Sequence, residues 1–144
     1  MADTARSGAP DTGPTVAQEL GAYIVREHAG RLSGEVEHHA KRALIDWFAA
    51  MLPGTQVSPA RELAQGLADE IGHGGAWIYG LEQHAPLRTA ALINGCASHA
   101  VEFDDIFRDA GYHPGCPTIS AALAAAQANR LDAAALLRAI VAGY

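Results

Sequence analysis

Leu92-Ile-Asn-Gly-Cys-Ala-Ser-His99-Ala-Val-Glu102-Phe-Asp104-Asp105-Ile-Phe-Arg-Asp109-Ala-Gly-Tyr-His113-Pro-Gly-Cys-Pro117 is the stretch on which the reading of this chain turns. Four carboxylates, two histidines and one arginine fall between His99 and His113. The flanking segments, 85–100 and 118–128, are rich in alanine, the residue with the strongest helix propensity, and read as helices that pack closely. A polar island between packed helices is a candidate site, because titratable groups gather there only when they are solvated or at work.

Working outward, the rest of the chain reads as helical support. At 144 residues with 49% apolar and 18% charged side chains, it suits one compact domain. Ten Lys and Arg stand against 16 Asp and Glu, a formal charge of −6, which leaves no basic face for a phosphate backbone and excludes nucleic acid as the main partner. Lys41 is the lone lysine and sits beside Arg42 on an expected helix, so no Schiff-base lysine is evident. Cys96 and Cys116 flank the island without a secretory context and read as free, reduced thiols. Residues 1–14 lack an apolar signal-peptide core and read as a flexible tail; no apolar run approaches the ~20 residues that span a bilayer. The expectation is a cytoplasmic protein away from membranes, with 15–144 as a single helical domain.

Thr15 and Gln18 have capping-box spacing, so a first helix is expected to about His28, with Val16, Leu20, Tyr23 and Ile24 on one face. The second, from about Glu35 to Leu52, carries Val36, Ala40, Ala43, Leu44, Trp47, Phe48 and Met51 at three- and four-residue spacing, the strongest amphipathic pattern in the chain. Pro53-Gly54 should stop it. Glu35, His38 and His39 on that helix read as a solvated face, since adjacent histidines point in different directions. Ser58-Pro59 should cap a third helix running to Ile71, and residues 76–79 suggest a short extended piece. Pro86 opens the fourth helix, Pro117 stands at the first position of the fifth, and Asp132 caps the last, whose apolar face is expected to lie uncovered. The fold class is therefore an all-α bundle of about six helices.

Within the island, His99 and Glu102 are three residues apart, which on a helix makes them neighbours. Three acids occupy the four positions from Glu102 to Asp105. Like charges this close must be solvated, bind a cation, or include a protonated carboxyl that works as acid or base. His113 precedes Pro114-Gly115 and the amino end of the fifth helix, whose free amides favour an anion. A histidine beside such a helix end, facing carboxylates, suits proton transfer at the carbon next to a substrate carboxylate. The ligand types would also serve a metal, but the linear spacing matches no known cage, and no residue is assigned to one.

At these residues the chain resembles the MmgE/PrpD family, which includes 2-methylcitrate dehydratase, cis-aconitate decarboxylase and iminodisuccinate epimerase. The resemblance rests on Asn94-Gly95, His99, Phe103-Asp104-Asp105, His113-Pro114-Gly115, the Ala-rich helix that follows, the closing Ala139-Ile-Val-Ala-Gly-Tyr144, and Leu44-Ile-Asp46 upstream. It implies an all-α fold, lyase or isomerase chemistry on a small di- or tricarboxylate without a cofactor, and a homo-oligomer. Carried over by position, it makes His113, Asp104 and Asp105 catalytic residues, with His99, Glu102 and Gly115 toward the substrate. Glu102 stands where the family often has Asp, and Ile106 where a threonine commonly follows the acid pair. Longer members bring further basic and tyrosine site residues and a second α/β domain, so a complementary protein chain that completes the site is expected here. A module that binds a small acid or a protein without turnover is the alternative.

Overall fold

The computed structural model describes residues 13–144, and among them the helices follow in the order α1 (Val16–Ala29), α2 (Gly34–Gly54), α3 (Ala60–Gly66), α4 (Leu87–His99), α5 (Gly115–Ala128) and α6 (Ala133–Gly143). Between α3 and α4 lie a 3₁₀ turn (Ala68–Glu70) and an antiparallel hairpin of β1 (Ala76–Ile78) and β2 (Gln83–Ala85), which pairs Trp77 with His84. The all-α class holds; the hairpin is its small exception. Of the tail expected over 1–14, all but Gly13 and Pro14 lies outside the described residues.

Local chemistry accounts for the helix ends. Thr15 and Gln18 complete the capping box, Ser33 accepts from the Val36 N–H, and Asp132 accepts from the Ala135 N–H at 2.8 Å. Three boundaries differ from expectation. Helix α2 runs through Pro53 to Gly54 instead of stopping before them; Pro53 withholds the amide that would meet the Ala49 carbonyl, and the helix closes one residue later. Helix α3 starts at Ala60 with Pro59 as its N-cap and no side-chain cap, and it breaks at Gly66, well short of Ile71. Pro117 is the third residue of α5 rather than the first; at that depth the amide has no intrahelical partner to lose.

Helix α4 is the centre of the bundle, packed most extensively against α5 and then α2. One core joins Trp47, Met51, Ala97, Ile119, Leu137 and Ile140; the other joins Ala64, Ala76, Ile78, Ala90, Ile93 and Ala124 under the hairpin. Burying a side chain such as Met51 or Ile119 contributes about 1.5–3 kcal/mol. Buried hydrogen bonds set the helices' register. The Trp47 indole N–H donates to Ser120 Oγ (3.1 Å), and Ser120 Oγ donates to the Cys116 carbonyl (2.6 Å). Asn94 clamps β1, donating to the Trp77 carbonyl (2.8 Å) and accepting from the Tyr79 N–H (3.3 Å). Gly54 has no alternative: a Cβ there would lie 1.8 Å from the Ala97 carbonyl oxygen.

The last helix is not left bare. Leu137 and Ile140 are buried, and α1 lies against α6, with the Tyr23 hydroxyl donating to the Val141 carbonyl at 3.3 Å. The uncovered apolar face expected on the last helix is instead on α1, where Val16, Leu20, Ile24 and Val25 are all exposed. No helix among the described residues is long and apolar enough to cross a membrane.

Candidate active site

The island begins where α4 ends. The helix stops at His99, the Glu102 N–H donates to the His99 carbonyl (3.1 Å), and Glu102 takes a left-handed φ of 51° that turns the chain back. Glu102 thus lies in the turn beyond the helix end rather than on a helical face shared with His99, as their spacing had implied, and it is exposed. Both line a cavity of about 530 Å³ with Gly95, Cys96 and Cys116.

The turn delivers Asp104 into the protein. Its side chain is only 3% exposed and lies between two imidazoles. His99 Nδ1 is 3.1 Å from both carboxylate oxygens, and His113 Nδ1 is 3.2 Å from Oδ2. The His99 and His113 rings meet edge to face with centroids 4.7 Å apart. The two contacts are unequal: His99 makes a hydrogen bond, whereas His113 Nδ1 is misaligned and remains buried without a partner. Among the described residues these three side chains form the one His, Cys, Asp and Glu group compact enough to hold a metal ion, their donor atoms all within 4.8 Å of one another. Linear spacing hid this, because a loop rather than a helix closes the five residues from His99 to Asp104.

Asp105 turns the other way, toward the start of α5. Its Oδ1 accepts the Gly115 N–H at 3.0 Å. The carboxylate that meets this helix end in the structure is the chain's own Asp105, which engages the Gly115 amide. Gly115 leaves room for both side chains: a Cβ there would fall 2.6 Å from Asp105 Oδ1 and 2.8 Å from the Tyr144 hydroxyl, so their ends would have to shift. Burial first, and the hydrogen bond to Asp105 and its charge next, hold the Tyr144 phenol above the ordinary tyrosine range.

Asp46 on α2 completes an acidic group that sequence spacing does not disclose, since 59 residues separate it from Asp105. Burial, then the charges of Asp105 and Asp104, raise its carboxyl above the usual aspartate range, while a hydrogen bond from the Asp105 backbone N–H opposes the rise. Asp46, Asp105 and Tyr144 line an open cavity of about 590 Å³ with His39, Arg42 and Phe103. Cys96 and Cys116 are free; burial raises both thiols, and the Cys116 Sγ–H donates to the Gly95 carbonyl at 3.1 Å.

The MmgE/PrpD N-terminal domain matches residues 18–144, the island and its supporting helices included. The chain belongs to the MmgE/PrpD family. A relative in the fungus Aspergillus oryzae, the cis-aconitate decarboxylase-like protein oryM, is 28% identical over 112 residues. The match takes in 78% of this chain and 23% of that protein, so the chain spans about a quarter of its relative's length. No solved structure matches it. Asn94-Gly95 has a structural role: Asn94 holds the hairpin, and Gly95 lets α4 approach Ser120 of α5, whose Oγ would be 3.3 Å from an added Cβ.

Proposed function

We propose that this chain supplies one part of the active site of an MmgE/PrpD-type lyase or isomerase that moves a proton at the carbon beside a carboxylate of a small di- or tricarboxylate. The observation that carries the proposal is the buried Asp104 facing two imidazoles. Its Oδ2 beside His113 Nδ1 favours the tautomer with the proton on that nitrogen, leaving the Nε2 lone pair for substrate. The Nδ1 atom is buried while the side chain is 29% exposed, so the open edge of the ring is the one that carries Nε2. Asp104 places its charge beside the ring; Asp105 is held by Gly115 beside the Tyr144 hydroxyl.

Electrostatics supports a site that needs further groups. A di- or tricarboxylate demands cations, yet Asp46, Asp104 and Asp105 converge here and Arg42 is the single arginine lining the adjoining cavity. Exposed Phe103, Ile106, Phe107 and Tyr112 surround the island with apolar surface of the kind another polypeptide covers. In this reading a complementary segment or chain brings the cationic residues and closes the site over the substrate, which excludes water and strengthens every charge interaction inside.

Native mass spectrometry of the untagged protein from its own cell extract tests the assembly, and proton exchange of cis-aconitate in heavy water, followed by NMR, tests the chemistry. A hetero-complex that catalyses exchange, with exchange lost in His113→Ala and helical content intact, is expected. Exchange retained in His113→Ala refutes the assigned base. A lone chain that a tricarboxylate stabilises without exchange replaces the lyase reading with that of a binding module.

A further inference from the structure

We propose that His99, Asp104 and His113 form a binding site for one divalent transition-metal cation of the zinc or cobalt class. The inference stands on donor geometry and is independent of the reaction proposed above.

Both imidazoles turn the same atom, Nδ1, toward one buried carboxylate, and the two nitrogen-to-oxygen separations are 3.1 and 3.2 Å. An ion about 2.0–2.2 Å from each donor sets neighbouring donors about 3.0 Å apart at right angles and about 3.4 Å apart in a tetrahedron. Both nitrogen-to-oxygen edges lie between these limits, and all three donor atoms fall within 4.8 Å of one another. Two nitrogens and one oxygen would leave further positions on an ion open, and this donor chemistry selects zinc, cobalt or iron over calcium and magnesium, which prefer all-oxygen shells.

A second observation points the same way. A hydrogen-bonded Asp–His pair explains His99 but not His113, whose Nδ1 is buried at 3.2 Å from Asp104 Oδ2 yet makes no aligned hydrogen bond. A lone pair directed at a shared ion needs no such alignment with the carboxylate. Asp46 and Asp105, close enough to Asp104 for their charges to be felt together, add negative potential that favours a cation. The Cys116 thiol, bonded to the Gly95 carbonyl, stays outside the donor set. The buried Asp104 anchors the site while half-exposed His99 gives an ion its way in. Where His113 also serves as a base, metal occupancy and proton transfer exclude one another, so the ion acts as a reversible inhibitor.

Calorimetric titration of the untagged full chain with zinc chloride, together with cobalt chloride titration read by visible absorption, tests the site. One equivalent bound per chain is expected, with His99→Ala and Asp104→Asn each weakening affinity by at least about tenfold and His39→Ala leaving it unchanged. His99 is half exposed, so His99→Ala keeps the fold, which circular dichroism checks. The proposal is overturned by the absence of saturable 1:1 binding, by affinity that survives in both His99→Ala and His113→Ala, or by affinity lost with His39→Ala. Binding is read without substrate, so its failure leaves the lyase reading standing, and failed proton exchange leaves the metal site standing.

Discussion

Replacing Gly115 with alanine should destabilise the protein, although alanine is the better helix former. Gly115 is the first residue of α5, and nothing in its backbone forbids a side chain. On propensity and unfolded-state entropy alone, Gly→Ala should stabilise by about 0.4–1 kcal/mol. The structure reverses the sign. The new Cβ meets Asp105 Oδ1 at 2.6 Å and Asp105 Cγ at 3.2 Å, so the carboxylate must leave the position from which it accepts the Gly115 N–H. A hydrogen bond to a charged group contributes about 1.5–3 kcal/mol, so the net loss should be about 1–2 kcal/mol. For a chain of this size that is a fall in Tm of about 5 °C. The informative assay is a double-mutant cycle with Asp105→Ala, followed by urea unfolding and far-ultraviolet circular dichroism. With the carboxylate gone, the remaining contact is the end of the half-exposed Tyr144 ring, which can swing aside, and Gly115→Ala should become neutral or stabilising by about 0.5 kcal/mol. An equal cost in both backgrounds would refute the reasoning, because Asp105 would then not be what the new methyl group strikes.

Two further outcomes follow from the same geometry. Asp46 has a folded-state pKa above its unfolded value, so its ionised form opposes folding near neutral pH, and the opposition fades as acid protonates it in both states. Asp46→Asn should therefore raise Tm near neutral pH, the gap over the parent narrowing as pH falls through the Asp46 titration; a gap that does not change with pH contradicts the assignment. Asn94→Ala leaves the Trp77 carbonyl and the Tyr79 N–H without their partner, and should cost about 2–3 kcal/mol in chemical denaturation while preserving helical content; a loss under 1 kcal/mol would show that the hairpin is held by other means.

How much of this was legible in the sequence depends on the distance over which each feature is encoded. Capping by Thr15 and Asp132 reads directly, because donor and acceptor lie within three residues. The amphipathic face of α2 reads equally well, since Trp47 and Met51 meet the core as their spacing requires. Strand β2 does not read: Gln83-His84-Ala85 has no apolar alternation and joins β1 through backbone bonds that any side chains permit. The proposed site residues were legible as a list, not as an arrangement. His99 and Asp104 converge through the turn at Glu102, whose left-handed φ no periodicity announces. Asp46 on α2 and Tyr144 after α6 reach the island from opposite sides of it in the sequence, and only the tertiary packing of α2 against α4 and of α6 against α5 and α2 brings them there.

The contact between Gly54 and the Ala97 carbonyl bears on how the site could be altered or regulated. It is a joint of bare backbone against bare backbone, two residues before His99. Side-chain contacts can slip between rotamers and absorb a disturbance, but a joint without side chains has no such slack. Any tilt of α2, whether imposed by a partner seated on its exposed residues Ile45 and Leu52 or by an engineered substitution, is passed as a rigid lever to the end of α4 and hence to the imidazole at its tip. Residues lining the cavities can be exchanged to retune specificity, whereas this fulcrum has to be kept, and directed evolution of the chain should find it invariant.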